Sequence, residues 1–254
     1  MIGRLTVIGL GPGNANQLTP EASEALQAAD VVFGYGPYLD RVPQRIGQRR
    51  EASDNRQEID RANQALTDAA TGANVALVSG GDPGVFAMAA AVCEALECGP
   101  AAWREVDLAI IPGITSMLAV AARVGAPLGH DFCALSLSDN LKPWALVERR
   151  LQAVAGAGFV IALYNPISRA RPWQLDRAFE ILREHLPPST PVIFGRAVTR
   201  ADEGVRVTTL STADGSDADM ATCIIVGSAA TRVVDRPNRA ALIYTPRSIS
   251  APST

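Results

Sequence analysis

Short apolar runs alternate along the chain with longer stretches in which apolar residues recur every three or four positions. That rhythm predicts strands and helices in alternation, an α/β protein. In the first half the predicted strands fall at residues 5–8, 31–33, 75–78 and 108–111, each short, largely apolar and bounded by Gly, Pro, Asp or Asn. Strands apolar on both faces belong to a parallel sheet covered on two sides. The first helix begins at Pro20, because Thr19 can cap it, proline suits the first helical position, and Glu21 and Glu24 place negative charge in its opening turns. After Pro112 and Gly113 the small residues of 115–124 read as a helix closed by Gly125, Pro127 and Gly129. The change of pattern there predicts a junction between an N-terminal domain (1–113) and a C-terminal one (114–245).

The second half repeats the alternation. Strands are expected at 134–137, 159–163, 192–194, 205–209 and 223–226, and helices from Pro143 to about Ala155 and over 173–185, the latter stopped by Pro187-Pro188. Residues 211–219 read as a polar turn-rich loop and 246–254 as a loose tail.

Composition narrows what such a fold does. The 254 residues are 48% hydrophobic, with 23 Lys and Arg against 26 Asp and Glu, which fits a folded chain and not a disordered one. A net charge of −3 leaves no general basic footprint for nucleic acid and no polybasic patch for an anionic membrane. Cys93, Cys98, Cys133 and Cys223 form no CxxC pair, and His130 and His185 lie far apart, so no metal site is expected. No apolar stretch is long enough to span a bilayer and the first residues do not read as a leader, so the expected location is the cytoplasm, with reduced thiols.

Candidate chemistry lies in three turns that follow predicted strands: 9–13 (GLGPG), 80–84 (GGDPG) and 112–116 (PGITS). In a parallel sheet those turns converge on one edge, where ligands bind. The first departs from the dinucleotide fingerprint, since Asn14 stands where a third glycine belongs and Pro12 removes an amide. Asp30 precedes the second strand and so does not close it for a ribose, and no Gly-Lys-Ser/Thr follows any turn. The turns suit a ligand without phosphates. The alternatives are a purely structural strand-to-helix turn at 9–13 and a plain tight turn at 80–84.

The segments VIGLGPGN, LVSGGDPGVF, IIPGITSM, ALYNP and MATCIIVG, in this order, resemble the tetrapyrrole methylases, which use S-adenosylmethionine; only the tail lies outside the resemblance. Within that family, GYGPYLDRV (34–42), LSLSDNLKPW (135–144) and LYNPISRARPWQL (163–175) are similar to the branch that methylates C17 of precorrin-3B with ring contraction. The resemblance implies two α/β domains with mixed sheets, the cofactor in the cleft between them, and a homodimer. It assigns the cofactor to Leu10, Pro12, Gly81, Asp82, Val85, Thr115, Ser116, Tyr164, Asn165, Ala197, Met220, Ala221 and Thr222. Met220 has a second reading as a core methionine, and Thr115 and Ser116 as caps of the following helix.

An acidic macrocycle as substrate implies cationic partners, for which Lys142, Arg169, Arg171, Arg196 and Arg200 are candidates, each with a solvated surface residue as its alternative. Arg49-Arg50, read as loop, and Arg149-Arg150, read as helix, are assigned to solvent. Methyl transfer asks mainly for positioning, but ring contraction releases a hydroxyl proton and can use a base. Asp139, His130 and Asp131, with Asp82 beside them, are the candidates; His130 reads equally as a loop residue, and His185 as a helix-end residue. Two other readings stay open: the same chemistry on a different ring carbon or a cobalt-containing substrate, and a noncatalytic dinucleotide-binding sensor, which Asn14 disfavours.

Overall fold

The structure, a computed structural model, describes residues 2–54, 56–168 and 170–248. The chain divides into two units, Met1–Thr115 and Ser116–Thr254. The first contains β1 (Arg4–Gly9), α1 (Pro20–Ala28), β2 (Val31–Tyr35), α2 (Gly36–Leu39), β3 (Arg49–Ser53), α3 (Glu58–Ala70), β4 (Asn74–Ser79), α4 (Met88–Cys98) and β5 (Asp107–Ile111). Its five strands are all parallel, in the order β3-β2-β4-β1-β5.

Alternate strand residues feed two apolar layers. Leu5, Val7, Val31, Phe33, Val75 and Leu77 pack with Ala62, Leu66 and Val92 of α3 and α4. Ile8, Val32, Ala76 and Val78 pack on the other side with Ala22 and Leu26 of α1 and Leu39 of α2. The Thr19 hydroxyl accepts the Ala22 amide at 3.1 Å, so α1 starts as its cap residue dictates.

Strand β3 corrects the loop expected at Arg49-Arg50. It is an edge strand of charged residues (RREAS), and charge is how a sheet edge resists pairing with another chain, so its pattern does not read as a strand. Arg49 reaches Glu51 and Asp68, whereas Arg50 is half-buried and donates to the carbonyls of Leu39, Val42 and Pro43; Arg50 is not a solvent residue.

The second unit contains α5 (Ser116–Val124), β6 (Gly125–Ala126), β7 (Phe132–Ser136), α6 (Trp144–Gly156), β8 (Val160–Tyr164), α7 (Gln174–Arg183), β9 (Pro191–Arg196), β10 (Gly204–Thr209), β11 (Thr222–Val226), β12 (Arg232–Arg236) and β13 (Arg239–Tyr244). Its main sheet, β10-β9-β11-β8-β7, is mixed: β7 and β8 are parallel and the other neighbours antiparallel. Leu151 of α6 and Leu175, Phe179 and Leu182 of α7 cover one face of it. On the other face α5 approaches so closely that a side chain at Gly195 would strike Val120.

The helix expected over 173–185 is shorter, because Trp173 precedes it and residues 184–186 close it with tightened turns. A hairpin of β12 and β13, with β6 beside β13, forms a small third sheet that the sequence pattern did not predict. Val233, Val234 and Leu242 are exposed there, so no buried stripe marks these strands. The last residues of the expected tail, 249–254, lie outside the described residues.

Candidate functional site

In the first unit β1 and β4 are neighbours whose following segments lead to opposite sides of the sheet, α1 lying in one apolar layer and α4 in the other. Ligand crevices open at such a switch point. The turns at 9–13 and 80–84 both start there, and Gly11 and Gly81, each at a φ of 66°, exchange two backbone hydrogen bonds of 3.1 and 2.9 Å. A Cβ at Gly9 would lie 2.6 Å from the Gly113 nitrogen, and one at Gly113 would strike the Gly81 carbonyl. These glycines therefore pack the three turns backbone against backbone.

Two side chains fasten them. Asp82 Oδ1 accepts the Gly84 amide at 2.8 Å and Oδ2 the Gly113 amide at 3.0 Å, so this carboxylate ties the second turn to the third. Arg41 Nη2 donates to the carbonyls of Leu10 and Gly11, both at 2.9 Å. Arg41 was not among the sequence candidates, nor was Tyr38, whose ring lies where a Cβ on Gly80 would be; both belong to the GYGPYLDRV segment, which was the available signal. Leu10 and Pro12 are buried, Val85 is half-buried, and Phe86 beside it is exposed at a φ of 53°. Such a backbone in a non-glycine residue marks a turn held by its surroundings.

The amides of Gly11, Gly81, Gly84 and Gly113 are all engaged within the turns. No nest of free amides for a pyrophosphate is left at these positions. That donor set suits a methyl donor bearing a sulfonium cation and no phosphate, and it disfavours the dinucleotide-sensor reading.

In the second unit the pairing pattern sends the carboxyl ends of β7, β8 and β9 and the amino end of β11 to one edge. Ser136, Tyr164 and Asn165, Arg196 and Ala197, and the 220–222 turn accordingly lie at that edge. Asn165, exposed and at a φ of 51°, donates its amide to the Ser136 hydroxyl at 2.9 Å. The Tyr164 hydroxyl accepts the Met117 amide at 3.1 Å in the first turn of α5. Thr115 is buried, and Ser116 is the first residue of α5.

Ala197, buried at a φ of 45°, donates its amide to the Ala221 carbonyl at 3.0 Å. Asp219 builds the next turn by accepting from the Ala221 amide at 2.9 Å and the Thr222 hydroxyl at 2.8 Å. Met220 is 69% exposed and so is not a core methionine.

The cationic candidates fare differently. Arg196 pairs with Asp219 at 2.7 Å and Asp202 at 2.9 Å, which makes it a clamp on the 197–203 and 219–222 turns. Arg171 pairs with Asp139 at 2.5 Å and also bonds Asn140, joining the YNP loop to the DNLKPW segment. Lys142 is half-buried, and its pKa is held below the ordinary lysine value by desolvation and by nearby Arg150. Arg169 lies outside the described residues.

Among the base candidates, burial pushes the Asp139 pKa up, but hydrogen bonds led by Arg171 outweigh this and hold it below the usual carboxylate range. It is a charged acceptor and a weak base. His130 and Asp131 precede β7, at the end of the strand away from Ser136, so about 15 Å of strand separates them from the edge that carries Tyr164. Asp131 is exposed and its amide donates to His130 Nδ1 at 2.7 Å, a local loop contact. The geometry does not bring these two residues to Asp139. Burial raises the thiols of Cys133 and Cys223 to about 11 and about 12, so neither is a nucleophile near neutral pH.

The fold and these two loop edges match one protein class. A family model of the tetrapyrrole (corrin/porphyrin) methylases matches residues 4–214, and the chain belongs to that family. It is 64% identical, over 97% of both chains, to the precorrin-3B C(17)-methyltransferase of Sinorhizobium sp, and 41% identical to a probable cobalt-factor III C(17)-methyltransferase of Salmonella typhimurium, over 96% of this chain and 98% of that one. The crystal structure of the methyltransferase CobJ superposes with a TM-score of 0.92 at 49% identity, covering 96% of this chain and all of that one.

Proposed function

We propose that the chain transfers the methyl group of S-adenosylmethionine to C17 of precorrin-3B and contracts its ring, giving precorrin-4 and S-adenosylhomocysteine in cobalamin biosynthesis. The observation that carries this reading is the set of first-unit turns in which the amides of Gly11, Gly81, Gly84 and Gly113 are engaged within the turns and leave no phosphate nest at these positions, in a chain 64% identical to an enzyme of that name.

Bound S-adenosylmethionine supplies the methyl as an electrophile on a sulfonium sulfur. The residues of the chain bind and orient. In this reading Leu10, Pro12, Gly81 and Val85 line the donor from the first unit, with Asp82 and Arg41 holding their turns in shape. Thr115 contacts it at the end of the first unit, and Ser116, Tyr164, Asn165, Ala197 and 220–222 from the second, where the small side chains of Ala197 and Ala221 leave room for a flat base. Preset turns lower the ordering entropy paid at binding and align donor and acceptor carbon. Lys142 and Arg171 face the carboxylate arms, and Asp139, ionised beside Arg171, accepts a hydrogen bond from the hydroxyl whose oxygen becomes the acetyl carbonyl during contraction, its proton passing to water. The same reading takes the enzyme to be a cytoplasmic homodimer, which light scattering checks. Among the described residues no helix is long and apolar enough to cross a membrane.

Calorimetry with S-adenosylhomocysteine and with NAD tests the donor: binding of the first and none of the second is expected, and the reverse rejects the proposal. The 41% identity to a cobalt-factor III enzyme favours one second reading, the cobalt-containing substrate. Turnover of both macrocycles, measured side by side, separates the two.

A further inference from the structure

We propose that Arg61 and the cavity it lines form a subsite in the first unit for one carboxylate arm of the macrocycle, a proposal that rests on the function above. Arg61 lies in the first turns of α3 and is only 3% exposed. Its Nε donates to the Ser53 hydroxyl and its Nη2 to the Asp54 carbonyl, both at 2.6 Å, while Nη1 meets the Met88 sulfur at 3.3 Å. The hydrogen-bond partners of its guanidinium are thus a hydroxyl, a carbonyl and a thioether, none of them a carboxylate; Glu58 and Asp54 act on it electrostatically, and burial holds its pKa below the ordinary arginine value.

A guanidinium remains charged in a protein, and a buried one is destabilising unless a counter-charge or full hydrogen bonding compensates it. Three neutral partners, one of them a thioether, leave part of that fork for an anion. A carboxylate is a far better acceptor than the Met88 sulfur and can engage two guanidinium N–H groups together.

Beside Arg61 is a cavity of about 270 Å³ lined by Ser53, Gln57, Asp60, Asn63 and Gln64 as well. Its amides and hydroxyl can donate to the remaining carboxylate lone pairs, and Asp60 is the one acid in its wall. Its position fits the macrocycle. Ser53 ends β3 at the edge that carries the glycine turns, and Met88 opens α4 directly after the second of them. Tyr38, packed on Gly80, is close enough to act electrostatically on Arg61.

The test compares wild type with Arg61→Met, Arg61→Lys and Gln64→Glu, each checked for folding by circular dichroism and thermal melting. Arg61→Met should raise KM for precorrin-3B by about tenfold or more, the size expected when a charge-assisted hydrogen bond is lost. Its kcat should stay within about threefold and S-adenosylhomocysteine affinity should be unchanged. Lysine should restore part of the loss. Gln64→Glu, which adds a like charge at an exposed position of the wall, should raise KM by about threefold and decides the question if Arg61→Met does not fold.

A second probe is uroporphyrin against its methyl ester, followed by fluorescence. Wild type should prefer the acid, and Arg61→Met should lose that preference. Folded variants with wild-type KM and wild-type preference overturn the subsite alone. A wild type that prefers the acid but leaves precorrin-3B unmethylated overturns the function and leaves the subsite standing, and one that does neither overturns both.

Discussion

The two strand-end edges are built by different means. In the first unit the turns at 9–13, 80–84 and 112–113 touch through glycine backbones, with two side chains, Asp82 and Arg41, as fasteners. In the second, the turns carry side chains through left-handed backbone at Asn165, Ala197 and Thr199 and are held by ion pairs: Arg171 with Asp139, Arg196 with Asp202 and Asp219, and Arg123 with Glu203. Backbone packing tolerates no added atom but ignores salt and pH. Ion pairs at half-exposed positions tolerate substitution yet respond to both. The first edge is therefore a rigid wall, and the second an adjustable one.

The largest expected effect comes from adding one carbon to the rigid wall. Gly113→Ala drives its Cβ into the Gly81 carbonyl and should destabilise the protein by about 2–3 kcal/mol, read as a lower denaturation midpoint together with lost S-adenosylhomocysteine binding. An alanine accepted without penalty would show that the turns are loose. Next, Asp82→Ala frees the amides of Gly84 and Gly113 and should cost about 2 kcal/mol of stability, with donor affinity falling about tenfold in a folded protein. Unchanged affinity would remove Asp82 from the site, whereas Asp82→Asn should retain part of both.

In the adjustable wall, Arg196→Gln should weaken donor binding only about threefold, and the deficit should shrink in high salt, since salt already weakens the wild-type pairs. A salt-independent deficit would mean that Arg196 acts by packing. The pH dependence has a definite sign. The hydrogen bond from Arg123 holds Glu203 below its ordinary range, and that from Arg196 does the same for Asp202. Carboxylates with depressed folded pKa values contribute stability that is present above their unfolded values, about 4, and is lost as pH falls through the lower folded ones. Melting midpoints of wild type and Glu203→Gln should therefore differ between pH 5 and 8 and converge below about pH 4; a gap that widens in acid contradicts the assignment. The smallest effect concerns thiols. Iodoacetamide at neutral pH should label exposed Cys93 and Cys98 in the native protein and spare Cys133 and Cys223 until it is unfolded.

The rigid wall was the more legible of the two in the sequence. Its strands are apolar on both faces and its turns are spelled in glycine and proline, so pattern and turn chemistry agree. Even there the glycines fit one turn against another, a relation between segments about 30 to 100 residues apart that no local pattern contains. Asp82 was singled out, but its work is to hold Gly113, which lies 31 positions away. In the other wall the residue types were visible and their pairing was not. Arg171 and Asp139 were separate candidates, one for a substrate arm and one as a base, and the fold joins them. Arg196 reads as a free cation until Asp202 and Asp219 are seen beside it. His130 and Asp131 look close to the DNLKPW segment in sequence, yet the length of β7 lies between them and it.

Carbon-13 in the methyl group of S-adenosylmethionine tests the central claim most directly, by incubation with precorrin-3B and NMR of the macrocyclic product. The label should appear as one new methyl on C17 of a ring-contracted product carrying an acetyl group. Label on another ring carbon, or a macrocycle recovered without label while the donor is bound, would contradict the account.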